Sequence, residues 1–122
     1  VFYDLMPTFC ELIGVAVPDQ TDGKSFLPAI LGQEQEPHDY LYWEFPEYGG
    51  QQAVRMGQWK AVRQKLKEGV IQTELYNLSS DPQEQNDVSD QYPEILSQLE
   101  EIMKNEHQTS SIERFQIPVL DM

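Results

Sequence analysis

The chain has 122 residues, the size of one domain, and is long enough to take roughly two-thirds of its unfolded surface out of water. Its 39% apolar and 24% charged residues are ordinary for a globular protein. A net charge of -13 argues against a nucleic-acid partner and against adsorption to an anionic membrane, since both need a basic surface.

Asp4 to Ile13 reads as a short helix. Asp4 is a suitable N-cap, Pro7 is tolerated in the first turn, and Leu5, Phe9, Leu12 and Ile13 share one face. Gly14 supplies the stop. The chain opens on Val1 rather than Met and runs straight into this helix, which reads as a piece excised from a longer protein. An extended stretch follows. Ser25 is placed to cap one helical turn from Phe26 to Leu31, closed by Gly32, and "QEQEPHD" is a polar loop.

Strands come next. "YLYWEF" is aromatic and β-prone. "QAVRM" and "WKAVRQ" form a hairpin around Gly57-Gln58, "KLKEGV" is a second turn, and "IQTELYNL" is a further strand. Three to four antiparallel strands are expected, because the connections are too short for parallel crossovers. "SSDPQEQNDVSDQ" is a turn-rich loop. Pro93 to about His107 is an amphipathic helix with the stripe Ile95, Leu99, Ile102 and Met103. The tail "SSIERFQIPVLDM" is irregular with an apolar patch. The fold class is therefore α+β: a small antiparallel sheet packed against a C-terminal helix, with a short N-terminal helix. The basic residues Arg55, Lys60, Arg63, Lys65 and Lys67 are expected on the solvated side of this sheet. Trp59, just after the hairpin turn, is expected to fill space between sheet and helix.

No apolar run reaches the roughly 20 residues that span a bilayer, and no signal-peptide pattern is visible. Cys10 rules out an internal disulfide and reads as a core thiol. His38 lies in a polar loop, and His107 suits the helix dipole at a C-terminus. Neither has a second His or Cys at metal-ligand spacing. There is no calcium loop or phosphate-cradling glycine loop. The residues thus make no self-sufficient catalytic or metal site. Glu44, Tyr48, Gln51 and Gln52 flank the Gly49-Gly50 tip, expected to be flexible, a loop at strand ends where binding groups are commonly found. These four are the candidate substrate-binding residues.

Three motifs together resemble a family. "DLMPTFCELIGVAVPDQTDGKSFLPAILGQ" is similar to the segment after the catalytic core of sulfatases, "YWEFPEYGGQQAVRMGQWKAVR" to their C-terminal sheet, and "ELYNLSSDPQEQNDVSDQYPEI" to the closing strand and turn before the last helix. The bacterial arylsulfatase-like branch of the alkaline phosphatase superfamily is the nearest in character. The resemblance implies that residues 1–122 form one C-terminal subdomain, with 1–32 as the connection from a catalytic domain. It implies a parent sulfuric-ester hydrolase acting on a sulfated carbohydrate or aryl sulfate, with calcium and a formylglycine, periplasmic or exported if bacterial. The formylglycine motif Cys/Ser-x-Pro-x-Arg is absent here, since Cys10 is followed by Glu-Leu-Ile-Gly, so the chain alone is expected to be inactive. The tip from Glu44 to Gln52 is expected to help shape the parent's substrate pocket. The first helix and "FQIPVL" are expected to expose a former interface. Two alternatives stay open: a free-standing acidic interaction module, and the equivalent part of a related phosphodiesterase.

Overall fold

The computed structural model describes every residue from Val1 to Met122. They form two compact units, Val1–His38 and Asp39–Met122, described in turn.

In the first unit a 3-10 turn, Phe2–Asp4, leads into α1 (Leu5–Ile13), which ends at the left-handed Gly14. A single-turn helix, α2 (Leu27–Ile30), follows, and Ser25 Oγ accepts the Leu27 N–H at 3.2 Å. Asp4 makes no side-chain cap on α1. A capping residue needs non-helical dihedrals, whereas Asp4 sits at φ -77, ψ -15 as part of the 3-10 turn. Its carboxylate instead accepts the Lys24 N–H at 2.9 Å and lies 2.9 Å from His38 Nε2. His38 also meets the Tyr3 ring edge-on, so this polar loop is anchored by its histidine. Thr8 Oγ1 donates to the Asp4 carbonyl at 2.7 Å and accepts the Phe26 N–H at 3.0 Å. Gly23 lies so close to the chain start that a Cβ there would fall 2.1 Å from the Tyr3 carbonyl oxygen. Asp4 and Thr8 of "DLMPT" therefore tie down "DGKSF", with glycine required where the two backbones meet. The outer side of α1 stays bare: Met6, Phe9, Leu12 and Ile13 are exposed.

The second unit is a four-stranded antiparallel meander in the order β1 (Leu41–Phe45), β2 (Gln51–Met56), β3 (Trp59–Arg63) and β4 (Thr73–Asn77). The helix α3 (Pro93–Glu106) covers one face, lying chiefly over β2. Register follows from the hydrophobic alternation, because a slip of one residue would turn each apolar set to water. Val54 faces Ala61, and Ala61 faces Leu75. These three, with Leu99 and Met103 of α3, make a fully buried core. Each large aliphatic side chain there contributes about 1.5–3 kcal/mol by leaving water. Trp59 packs at the rim of this core, its ring 4.8 Å from that of Tyr92.

In the tail and at the β1–β2 tip the second unit also departs from the sequence-based expectation. Ile117 in the tail is fully buried rather than exposed, and its N–H is held by Asp121 Oδ2 at 2.8 Å. The Gly49-Gly50 tip is braced rather than free. Both glycines have positive φ, and their carbonyls accept the Lys67 and Leu66 N–H groups at 2.8 and 3.2 Å. The edge strand β4 is also covered: Asp87 Oδ1 takes the outward Leu75 N–H, and the Val88 N–H reaches the Leu75 carbonyl. Pairing an edge in this way blocks strand addition by another chain.

Candidate functional site

The pairing places Glu44, Gln52, Arg63 and Thr73 in one row across all four strands. The row lies on the face covered by α3, because Gln52 alternates with Val54, and Arg63 with Ala61. Arg63 was expected on the solvated side with the other basic residues. It is 9% exposed, in phase with the core.

A buried guanidinium must be paired and hydrogen-bonded to be tolerated, and this one is. Arg63 Nε donates to Thr73 Oγ1 at 2.9 Å, Nη1 to Gln52 Oε1 at 3.4 Å, and Nη2 to Glu100 Oε1 at 3.0 Å. Thr73 Oγ1 donates onward to the same Glu100 oxygen. The Gln52 amide donates to Tyr42 Oη at 2.9 Å and to Glu44 Oε2 at 3.3 Å. Tyr42 in turn donates to Glu44 Oε2. Burial, followed by this bond to a carboxylate, pushes the Tyr42 hydroxyl far above its ordinary pKa, so it serves as a donor and not as a base.

His107 closes the row. It stands where α3 ends, with Nδ1 2.8 Å from Glu44 Oε2 and Nε2 3.0 Å from Asp121 Oδ1. Burial alone would lower its pKa, but the bonds to Glu44 and Asp121 and their charges outweigh that, and the pKa is raised above 6.5. Asp121 is lowered from its usual range by a bond from Thr109, against some desolvation, and by His107 and the Ile117 N–H. A cleft of about 570 Å³ opens beside this network, lined by Arg63, Glu100, Lys104, His107, Val119 and Leu120 among others.

The opposite sheet face carries no helix. Trp43 and Phe45 stand exposed there, with Tyr48 stacked on Phe45 at 5.9 Å. Lys60 pairs with Glu84 beside them, and Arg55 is exposed at the rim. Two shallow clefts of about 180 and 300 Å³ lie over Trp43, Ala53 and Lys60. On this side Tyr76 is pushed up to about 12 by burial and its bond to Glu74.

The four sequence-predicted binding residues are divided between these surfaces. Glu44 and Gln52 join on the covered face, where Gln52 is fully buried. Gln51 lies on the open face with Trp43 and Phe45, and Tyr48 is 85% exposed. Sequence reasoning missed Arg63, Thr73, Glu100, His107 and Asp121. Arg63 was detectable, since it follows Ala61 by two residues on β3; Asp121 carried no local signal. No group of three or more His, Cys, Asp or Glu is arranged to hold a metal ion.

A four-stranded antiparallel meander under one C-terminal helix, its polar row engaged internally, defines an α+β domain. Residues 2–109 match the family model described as "N-sulphoglucosamine sulphohydrolase, C-terminal", and the chain belongs to that family. It is 29% identical over 112 residues to arylsulfatase K of Danio rerio, covering 84% of this chain and 21% of that protein. A proposed sulfatase from Bacteroides thetaiotaomicron superposes with a TM-score of 0.73 at 31% identity, over 84% of this chain and 23% of that one. Ps i-CgsB in complex with k-i-k-neocarrahexaose gives 0.69 at 30% identity, over 84% and 23%. The chain thus spans about a fifth of the length of the relatives it matches.

Proposed function

We propose that this chain is the accessory C-terminal domain of a sulfate-ester hydrolase, docked through its open sheet face onto a catalytic domain and inactive without it. The observation that carries this reading is the uncovered face bearing Trp43 and Phe45, 39% and 48% exposed. An apolar face of this kind, rimmed by charge, is characteristic of an interface. The bare stripe on α1 supports the same reading for the first unit. Residues 1–32 then serve as the connection from the catalytic domain, within a single subdomain of 1–122. Sulfated carbohydrates or aryl sulfates are the substrates of the whole enzyme.

Calcium and formylglycine belong in this scheme to the catalytic domain. Nothing among these residues fits them: no metal-holding cluster is present, and Cys10 lacks the Pro and Arg of the formylglycine motif. A free-standing acidic module is the less favoured reading, because it leaves the family match without a role.

The tip contributes to the substrate pocket through Tyr48 and Gln51, which are accessible, while Glu44 and Gln52 fix the strand ends beneath it. The test is Tyr48→Ala and Gln51→Ala in the full-length enzyme. Loss of a contact to a distant part of a sulfated oligosaccharide is expected to lower kcat/KM on it by about fivefold or more, and to leave a small aryl sulfate unaffected. Equal rates on both substrates with unchanged stability refute the pocket role.

A further inference from the structure

We propose that His107 is a pH-operated latch that fastens the C-terminal segment Ile117–Asp121 to the end of α3 and to β1. Three segments of the second unit meet at this one ring: α3 ends at His107, β1 offers Glu44, and the tail offers Asp121. Both ring nitrogens face carboxylate oxygens, at 2.8 and 3.0 Å. A carboxylate only accepts, and a neutral imidazole has one N–H. The neutral ring therefore turns a lone pair toward one carboxylate, and only the imidazolium donates to both. The geometry requires the proton.

The surroundings support this. Glu44 Oε2 already accepts from Tyr42 and Gln52, so it is fixed in place and cannot follow a ring that moves. Asp121 belongs to the tail, which reaches the ring from outside the sheet and α3. Its other oxygen holds the Ile117 N–H at 2.8 Å, and the Leu120 N–H closes back on the Ile117 carbonyl at 2.8 Å. The latch thus fastens a small folded turn whose anchor, Ile117, is fully buried. The other charged groups facing this region are Glu100, Glu101, Lys104 and Glu106 of α3 and Arg63 of β3. Arg63 is committed to Glu100, and Glu106 accepts from Tyr40 at 2.6 Å. Tyr42, with its pKa raised, does not titrate in the same range.

The sign follows from the direction of each shift. His107 is raised above 6.5, so its contribution is complete below pH 6.5 and is lost as pH rises through the folded value. Asp121 is lowered from 3.8, so its contribution is complete above 3.8 and is lost as pH falls through its folded value. The latch is closed between those two limits. When it opens on the alkaline side, Val119 and Leu120 are freed from the wall of the cleft they share with Arg63 and Met103, and that cleft widens.

The test is an NMR titration of the full chain, following the His107 ring nitrogens and the exchange protection of the Ile117 amide, with His38→Asn to assign the ring. The expected result is a His107 midpoint above 6.5 with both nitrogens protonated below it. Ile117 protection is expected to fall about tenfold across that midpoint, the worth of one charge-assisted hydrogen bond. Asp121→Asn is expected to lower the midpoint and flatten the protection profile. His107→Gln, whose amide can donate from its nitrogen but never carries the charge or a donor on both sides, is expected to give low and pH-independent protection. A ring that titrates at or below 6.5 overturns the proposal. So does Ile117 protection that is unchanged across the ring's titration, or that still steps at the same pH in His107→Gln.

Discussion

Replacing Arg63 by Met removes the hub of the buried row while keeping a similar length of apolar stem. Three partners lose a donor, and they differ in what they can do next. Glu100 is 38% exposed at its side chain and recovers water, so its loss is small. Thr73 still donates to Glu100. Gln52 is fully buried, and its Oε1 has no replacement among the bonds it makes. An unsatisfied buried acceptor costs about 1–3 kcal/mol, so about 2 kcal/mol is the expected loss. Both tryptophans, Trp43 and Trp59, lie in the second unit, so urea unfolding followed by tryptophan fluorescence reports on that unit. With m of about 1–1.5 kcal/mol/M for a unit of this size, the midpoint drops by roughly 1.3–2 M. The second arm is Arg63→Met with Gln52→Leu. Removing both partners of a buried polar pair is far cheaper than removing one, so the double variant is expected to lose less than the sum of the singles, with a coupling of about 0.5 kcal/mol or more. A single variant within about 0.5 kcal/mol of the parent, or strict additivity, refutes the assignment of Arg63 as the hub.

Two further outcomes are expected. Gly50→Ala places a Cβ 3.3 Å from Leu66 Cβ at φ +77, whereas Gly49→Ala meets only Lys65 Cα at 3.7 Å; the left-handed backbone costs each about 1–2 kcal/mol, and only Gly50→Ala adds crowding, so it should melt lower than Gly49→Ala. Asp87 is lowered from 3.8 despite some desolvation, because the Leu75 and Ser89 N–H groups bond it; its stabilisation is complete above 3.8 and lost as pH falls through the folded value, so Asp87→Asn should lower the thermal midpoint at neutral pH and flatten the acid limb, the two proteins converging at low pH.

The sequence by itself determined the elements and their order. Period-2 alternation around Val54 and Ala61, the Gly57 turn, and the 3.6-residue stripe through Leu99 and Met103 are local signals, and local signals are enough to specify strand, turn and amphipathic helix. The resemblance to sulfatase C-terminal segments was likewise legible, because its motifs are contiguous. The tertiary structure alone decided what the charged residues do. Charge assigned the basic residues of β2 and β3 to water as a class, since a buried arginine is rare, even though alternation puts Arg63 in phase with Ala61; only the cross-strand register showed Arg63 meeting Gln52 and Thr73, with Glu100 arriving from α3. His107 read as a helix-end cation for the same reason. Its partners lie 63 residues upstream and 14 downstream, and no spacing rule links them. The Gly49-Gly50 tip looked free because its brace comes from Leu66 and Lys67 in the β3–β4 connection, at the same end of the sheet but two strands further along the chain. Hydrophobic pattern is a property of neighbours in sequence. Pairing of polar groups is a property of neighbours in space, and it emerges only once the sheet has closed and α3 has covered it.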